Sequence, residues 1–369
     1  MHRPKSKASP SNGNKLHLRF VAILFLLLCC RFTVQGKETA KGIKDSLCFR
    51  VLFWNVENLF DTRHDSLKQD TEFLPTAIRK WTPRRYWKKL NDVAQVVAAT
   101  GQWEPPALIG LCEVENDSVL RDLTRRSPLR HMNYRYLMTQ SPDRRGLDVA
   151  LLYRRDLFKP ITHQGIRIAP PSKHEPTRDI LHVEGLLLNG DTLDVFVCHF
   201  PSRARGKKAT EAYRIRCAHT LKEHIEQLAN KRQQLRTLIM GDFNDYPHDD
   251  SFQKVLQVLP AHRSTSCEEA TLYELLSHQR KVSSQGTYKH NGRWGILDHF
   301  LISGSLLNAH ASFFTHMNQA RIVMLPFLLT DDLKSGGKEP FRTYRGMKYQ
   351  GGFSDHLPIL LDFKLILPK

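Results

Sequence analysis

The stretch TLIMGDFND, residues 237–245, decides how the rest of the chain is read. Thr237–Phe243 is a short apolar run of strand length and strand composition. Asp242 and Asn244 stand at its end, where the chain must turn. Six other runs share that length and composition: Cys48–Val56, Ala107–Val114, Asp148–Tyr153, Thr192–His199, Leu297–Ser303 and Leu357–Leu365. Helical patterns lie between some of them. Thr82-Pro83 opens one, with Thr82 as N-cap and Pro83 at the first helical position. Its apolar stripe is Trp87, Leu90, Val93, Ala94 and Val97. A second runs from Thr210 to Lys231. Strands dominate and helices fall irregularly among them. That pattern predicts two packed sheets with helices outside, in the α/β (α+β) class. The polar stretch Phe313–Gly352 reads as one long loop.

Polar residues of catalytic type collect at the strand ends. Asn55 and Glu57 end the first run, Glu113 the second, and His199 the fourth. Asp242 and Asn244 end the fifth, Asp298 opens the sixth, and Asp355-His356 precede the last. Singly, each has a structural explanation: Asp242 and Asn244 as Asx-turn residues, His199 as a satisfied core histidine. Six strand ends carrying this set together are a different matter. Oxygen-rich carboxylate and amide sites suit Mg²⁺ or Mn²⁺. Histidine beside aspartate suits a charged phosphate oxygen or a proton transfer. Together they are what metal-assisted attack of water on a phosphate ester requires.

At this point the chain resembles the endonuclease/exonuclease/phosphatase superfamily, in its bacterial nuclease-like branch. The likeness is carried by WNVEN (54–58), GLCEVEN (110–116), GDFND (241–245), LDHFLIS (297–303) and SDHLPI (354–359), in the family's own order. It implies a DNase I-like four-layer α/β sandwich, with two packed, mostly antiparallel β-sheets flanked by helices. It implies a Mg²⁺-dependent phosphoesterase, with Mn²⁺ as an alternative metal. Glu113, Asn55 and Asp355 are expected at the metal. Asp242 is expected to activate water and Asn244 to orient it. His356, oriented by Asp298, and His199 are expected at the phosphate. Glu57 is a further candidate, and Asp148 a candidate to orient His199. HFPSR (199–203) is similar to a segment of nuclease-like members, which makes Arg203, with Arg205 beside it, the expected substrate contacts.

The ends of the chain and its charge set the remaining expectations. Arg3, Lys5, Lys7, Lys15 and Arg19 precede an apolar run, Phe20–Cys30, and Val34-Gln35-Gly36 follow at cleavage spacing. Residues 1–36 therefore read as a signal peptide, 37–46 as a short exposed segment, and 47–367 as the enzyme domain. The apolar run is too short to span a bilayer comfortably, so no membrane span is expected after cleavage. Cys29 and Cys30 raise lipid attachment, but Leu28 stands where a small residue is needed. The chain is expected to be exported, to the periplasm, cell surface or medium, and to act as a monomer. Losing six basic residues and no acidic one with the leader lowers the formal charge from +18 to +12. A body that basic attracts polyanions. Five uneven cysteines remain, which excludes a disulfide framework or a zinc cluster.

The leading expectation is an endonuclease acting on DNA or RNA. The alternative is a phosphatase or sphingomyelinase-like hydrolase of inositol phosphates or phospholipids. That reading wants an apolar membrane-contacting hairpin, for which Phe313–Leu329 is the one candidate. A non-catalytic binding protein on the same scaffold would have lost carboxylates or histidines, and none is missing.

Overall fold

Strand β1, Ser46–Leu59, lies at the centre of the first sheet. The computed structural model describes residues 46–368 except 102–103, 172–173, 205, 262–266 and 282–284. The proposed signal peptide and Arg205 thus lie outside the described residues. Helix α1 spans Pro83–Gly101, and the carbonyl of Thr82 accepts from the Tyr86 amide at 3.0 Å, as an N-cap carbonyl does. Strand β2 (Leu108–Val114) is followed by α2 (Asp117–Arg125), then β3 (Tyr134–Met138) and β4 (Asp148–Arg154). Next come β5 (Phe158–Ile166), β6 (Ile180–Leu187), β7 (Thr192–His199), α3 (Lys207–Ala229) and β8 (Thr237–Asp242). Short strands follow: β9 (Leu259–Pro260), β10 (Leu272–Glu274), β11 (Tyr288–His290) and β12 (Arg293–Gly295). Then come β13 (Asp298–Ser303), β14 (Phe313–Phe314), β15 (Ala320–Ile322), β16 (Leu329–Asp331) and β17 (Lys338–Pro340). The chain closes with β18 (Tyr344–Arg345), β19 (Lys348–Tyr349) and β20 (Ile359–Ile366).

One sheet runs β14-β20-β1-β2-β4-β3, with β15 also on β20; the other runs β5-β6-β7-β8-β13-β10-β9. Most pairs are antiparallel, while β1/β2, β7/β8 and β9/β10 are parallel. Strand alternation explains the layers. Along β1, Val51 and Phe53 enter the core between the sheets, where Val195, Val197, Leu238 and Met240 meet them. Leu52 and Trp54 point the other way, onto Leu90, Val93 and Val97 of α1. On the second sheet, Phe196, Cys198 and Ile239 face Tyr213, Cys217 and Leu221 of α3. The central strands of each sheet are buried on both faces, so they read as continuous apolar runs. The result is the expected helix–sheet–sheet–helix sandwich.

Three features depart from the sequence expectations. Residues 313–352 are not one loop. They form β14–β19, including two hairpins, with Gly346 at φ 58° in the β18/β19 turn. Strands of two or three residues are too short to show periodicity. Two phenylalanines of the supposed membrane hairpin, Phe313 and Phe314, are buried, with Phe313 stacked on Phe363 at 4.6 Å, while half-buried Phe327 packs against Phe353 at 5.2 Å. Among the described residues no helix is long and apolar enough to cross a membrane. Strands β3, β5 and β6 escaped the sequence reading. β5 lies at a sheet edge, is exposed along its middle, and is irregular at Pro160, as edge strands tolerate.

An ion pair fixes β1 against β20 and so sets the level of everything those strands carry. Arg50 and Asp362 are direct cross-strand partners. Arg50 donates from Nε to Asp362 Oδ1 at 2.6 Å and from Nη2 to Oδ2 at 3.1 Å, and Arg321 adds a bond at 2.9 Å. Burial works to raise the Asp362 carboxyl, but the two guanidinium groups outweigh it and hold it below the ordinary value. A depressed carboxylate stabilises the fold above its unfolded pKa, about 3.9, and that contribution is lost as pH falls through the lower folded value. Asp362→Ala is expected to cost about 2 kcal/mol at pH 7 in denaturant unfolding. The difference from the parent should shrink below about pH 4.

Candidate active site

The second sheet places three of the expected residues in one row. His199 on β7 is in register with Asp242 on β8, and Asp242 with Asp298 on β13. All three are buried. The glycine of GDFND allows this spacing. A Cβ at Gly241 would sit 2.6 Å from the Cys198 carbonyl oxygen, so only glycine lets β7 and β8 run this close there. The two oxygens of Asp242 divide the labour. Oδ1 accepts from the Asn244 amide at 2.9 Å, closing an Asx turn in which Asn244 takes φ 50°. Oδ2 faces the site and accepts from Asn55 Nδ2 at 3.1 Å. The turn therefore uses one oxygen of Asp242 and leaves the other facing the site.

The first sheet brings the opposing residues through irregular strand ends. The β1/β2 register breaks after Asn55, and the β2/β4 register breaks between Cys112 and Val114. Such bulges re-aim a side chain at a strand end. Here they put Glu57, Asn58 and Glu113 at φ 51°, 55° and 63°. For a glutamate this is an uncommon and costly backbone. Glu113 Oε2 accepts from the Asn58 amide at 2.9 Å, and Oε1 lies 3.4 Å from Asn55 Nδ2. The Asn55 amide thus bridges Glu113 on one sheet to Asp242 on the other.

His356 arrives just before β20. Trp54 Nε1 donates to its carbonyl at 2.9 Å. Ser354 Oγ accepts from its amide at 3.1 Å and donates to the Asn55 carbonyl at 2.6 Å. Its Nδ1 lies 2.8 Å from Asp298 Oδ2, and its Nε2 is 3.8 Å from Asp242 Oδ2. From the other side, His199 Nε2 is 3.7 Å from Asp242 Oδ2 and 3.8 Å from Glu113 Oε1. Asp242 is therefore the hub, with an imidazole on each flank.

The surroundings of the two imidazoles push in opposite directions. Burial alone would lower the pKa of His356, but the carboxylates of Asp298 and Asp242 raise it well above the ordinary range, which favours the imidazolium. His199 is lowered well below that range by burial, then by the positive charges of Arg178, Arg145 and His356, which favours the neutral ring. Burial raises Asp242 to about 7, with Asp298 adding to the rise and His356 opposing it. Glu57 is also pushed up to about 7, by burial and by Asp355.

These raised carboxylates bear on a metal. Glu57 is buried beside Asp355, and Asp242 beside Asp298, negative charge that a dication would relieve; the donors of the site are mainly carboxylate and amide oxygens, which suit a hard divalent cation. Asp242, Asp298 and His356 bring one ligand atom each within 4.8 Å of one another, a spacing that fits an ion. His356 Nδ1 is nonetheless spent on Asp298. The side of Asp242 nearer Asn55 and Glu113 is the better-suited one.

Other expected residues sit differently. Asp148 accepts from Thr139 Oγ1 at 2.5 Å and from the Ser141 amide at 2.9 Å. It holds the 139–141 turn and does not bond His199, whose Nδ1 is without a hydrogen-bond partner among the described residues. Arg203 does not present a free guanidinium to a substrate. It donates to the Asn244 carbonyl at 2.6 Å and to Asp245 at 2.8 Å, pairs with Asp249, and lies over the Tyr246 ring. It clamps the 244–249 loop. The last Asp of GDFND, Asp245, is held in turn by Arg214 at 2.7 Å and Ser251 at 2.7 Å. Glu57 faces the 343–344 segment, accepting from the Thr343 amide at 2.6 Å and the Tyr344 amide at 3.2 Å.

Two residues escaped the sequence reading. Buried Lys89 of α1 donates to Thr343 Oγ1 at 2.6 Å and to the Phe353 carbonyl, beside Glu57. Its signal was a lysine on the apolar face of a helix, four residues before Val93. Buried Arg178 donates to the Phe200 carbonyl at 2.8 Å and sets a positive charge near His199. No motif surrounds it.

With this geometry in hand, the chain can be set beside known proteins. The model of the Endonuclease/Exonuclease/phosphatase family matches residues 50–364. No curated protein sequence matches the chain. Among solved structures it is similar to an endonuclease/exonuclease/phosphatase family protein from Bacteroides thetaiotaomicron, at 14% identity and TM-score 0.56, over 87% of this chain and 96% of that one. It is also similar to a humanized D. rerio TDP2, at 13% identity and TM-score 0.53, over 86% and 98%. A B. thetaiotaomicron mannosyl-6-phosphatase matches at 16% identity and TM-score 0.50, over 85% and 99%. At these identities the likeness is one of fold.

Gly241→Ala tests how tightly the row must be held. The added methyl meets the Cys198 carbonyl, so unfolding free energy should fall by about 1–3 kcal/mol. Displacing His199 from Asp242 should lower turnover about 100-fold in the protein that remains folded. Turnover near that of the parent would mean that the spacing of the row is not critical.

Proposed function

The chain belongs to the endonuclease/exonuclease/phosphatase family, and from that membership and the convergence of its site we propose a divalent-metal-dependent phosphodiesterase. Its most specific form is an exported endonuclease that hydrolyses DNA or RNA by in-line attack of water. The observation that carries the reading is the placement of Asp242 between His356, His199 and the Asn55–Glu113 pair.

Glu113, Asn55 and Asp355 would hold the cation, Mg²⁺ or Mn²⁺. When bound, it supplies neutralisation of charge on a phosphoryl oxygen and on the leaving oxygen. The remaining steps belong to the protein. Asp242, with a pKa near neutrality, positions the attacking water and accepts its proton. Asn244, anchored through its Nδ2 to the Phe200 carbonyl at 3.2 Å, orients that water. Charged His356 donates from Nε2 to the phosphate as negative charge develops. Asp298 fixes its tautomer and its charge. Neutral His199 contacts the phosphate from the opposite flank. Arg203 acts through the 244–249 loop that it holds.

Support for a nucleic-acid substrate is the basic body of the chain and the HFPSR segment. Support for export is the composition of residues 1–36. The burial of Phe313, Phe314 and Leu328 in the core weighs against a lipid substrate, because that apolar surface is not offered to a membrane.

The test is a panel of plasmid DNA, RNA, sphingomyelin, phosphoinositides and a generic phosphodiester, assayed with Mg²⁺ and with chelator. The expected result is nicking of nucleic acid that chelator abolishes. Glu113→Ala should remove it, and Asp242→Asn should lower turnover by about 10²–10⁴-fold. Activity indifferent to chelator and to Glu113→Ala would refute the metal mechanism. Lipid or phosphoinositide turnover without nucleic-acid cleavage would refute the nuclease assignment while keeping the chemistry.

A further inference from the structure

A strongly basic cavity lies at the opposite end of the first sheet. The β2/β4 pairing runs from Val114 and Asp148, beside the catalytic residues, to Leu108 and Tyr153 at the far end. That is about 20 Å at the rise of a strand. There, a cavity of about 820 Å³ is lined by Arg125, Arg130, Arg135, Arg154, Arg155 and His131. Its size falls in the range of small-ligand sites. Asp156 is the one carboxylate residue in the lining, and it pairs with Arg154 at 2.5 Å. Arg125, Arg130, Arg135 and Arg155 are exposed and form no ion pair with a carboxylate among the described residues.

Local structure accounts for part of this charge: Arg125 lies in the last turn of α2, and Arg130 donates to the Ser127 carbonyl at 3.5 Å. The carbonyl end of α2 opens toward the cavity, but it is already capped. The Arg126 and Ser127 amides both donate to the Asp122 carbonyl at 2.9 Å, and Ser127 Oγ donates to the Leu123 carbonyl at 2.5 Å. The hydroxyl of Tyr134 is spent on the Pro106 carbonyl at 2.6 Å. Four guanidinium groups without a carboxylate partner around one concavity repel one another, weakly at this exposure. An anion removes that repulsion, and the planar fork of arginine matches phosphate oxygens two at a time.

We propose that this cavity is an anion site, distinct from the catalytic centre, for a ligand carrying two or more phosphate groups. The one exposed aromatic ring in the lining is the His131 imidazole, set among guanidinium groups. Recognition is therefore chiefly of phosphate. The ligand is either a free oligophosphate or the backbone of a nucleic-acid strand, and the two share this chemistry.

The test is calorimetric titration of the full chain with inorganic tripolyphosphate in chelator. The parent, Arg135→Ala/Arg155→Ala, Arg135→Lys/Arg155→Lys and His356→Ala are compared. The double alanine variant should bind roughly tenfold or more weakly, with its unfolding midpoint and its turnover of a generic phosphodiester unchanged. The double lysine variant should be intermediate, and His356→Ala should bind like the parent. Binding lost in His356→Ala and kept in the double alanine variant would place the anion at the catalytic centre and overturn the proposal, as would absence of binding by the parent. A cleavage-resistant phosphorothioate oligonucleotide distinguishes the two sources. Displacement of tripolyphosphate by it supports a strand backbone, and binding of tripolyphosphate without displacement supports a free oligophosphate.

Discussion

The site depends on one buried hydrogen bond, 2.8 Å long, between Asp298 Oδ2 on the second sheet and His356 Nδ1 at the threshold of the first. A carboxylate buried to 1% exposure is expensive unless its charge is answered. A buried imidazole is neutral unless a negative charge compels it otherwise. Each partner supplies what the other needs. The pair also joins the two sheets, as the Asn55–Asp242 bond does beside it. A charged histidine beside Asp242 is thus a consequence of how the sheets close on each other, and the mechanism draws on that charge.

The remainder of the site is held under strain and braced. Glu57, Asn58, Glu113 and Asn244 all sit at positive φ, each costing on the order of 1–3 kcal/mol. The bracing is local and polar. The Asn58 amide meets Glu113, Ser354 links His356 to the Asn55 carbonyl, and Arg203 and Arg214 converge on Asp245. Behind these bonds stand fully buried Trp54, Phe200 and Phe243. Packing is what makes such backbone conformations affordable, and it explains why the motifs carry aromatic residues next to their polar ones.

The layers of the fold were legible because sheets buried on both faces write themselves as apolar runs. The seven runs read from the sequence correspond to β1, β2, β4, β7, β8, β13 and β20. Edge and short strands were not legible. β5 is polar because water covers it, and β14–β19 are too short to repeat. At the site, the residues at strand ends were legible as types. Their brackets were not: Lys89 and Arg178 act through distant backbone carbonyls, a relation with no local pattern. Arg203 shows the reverse error. Its position beside His199 is plain in the sequence, but the carboxylates of Asp245 and Asp249 that occupy it come from more than forty residues away.

Nitrogen NMR of the imidazoles measures directly whether the two histidines flanking Asp242 hold different charge states. At pH 7.5 His356 is expected to be doubly protonated and His199 singly protonated, and Asp298→Asn is expected to return His356 to the neutral form while His199 stays neutral. A neutral His356 in the parent protein, or an imidazolium that survives Asp298→Asn, would contradict this assignment.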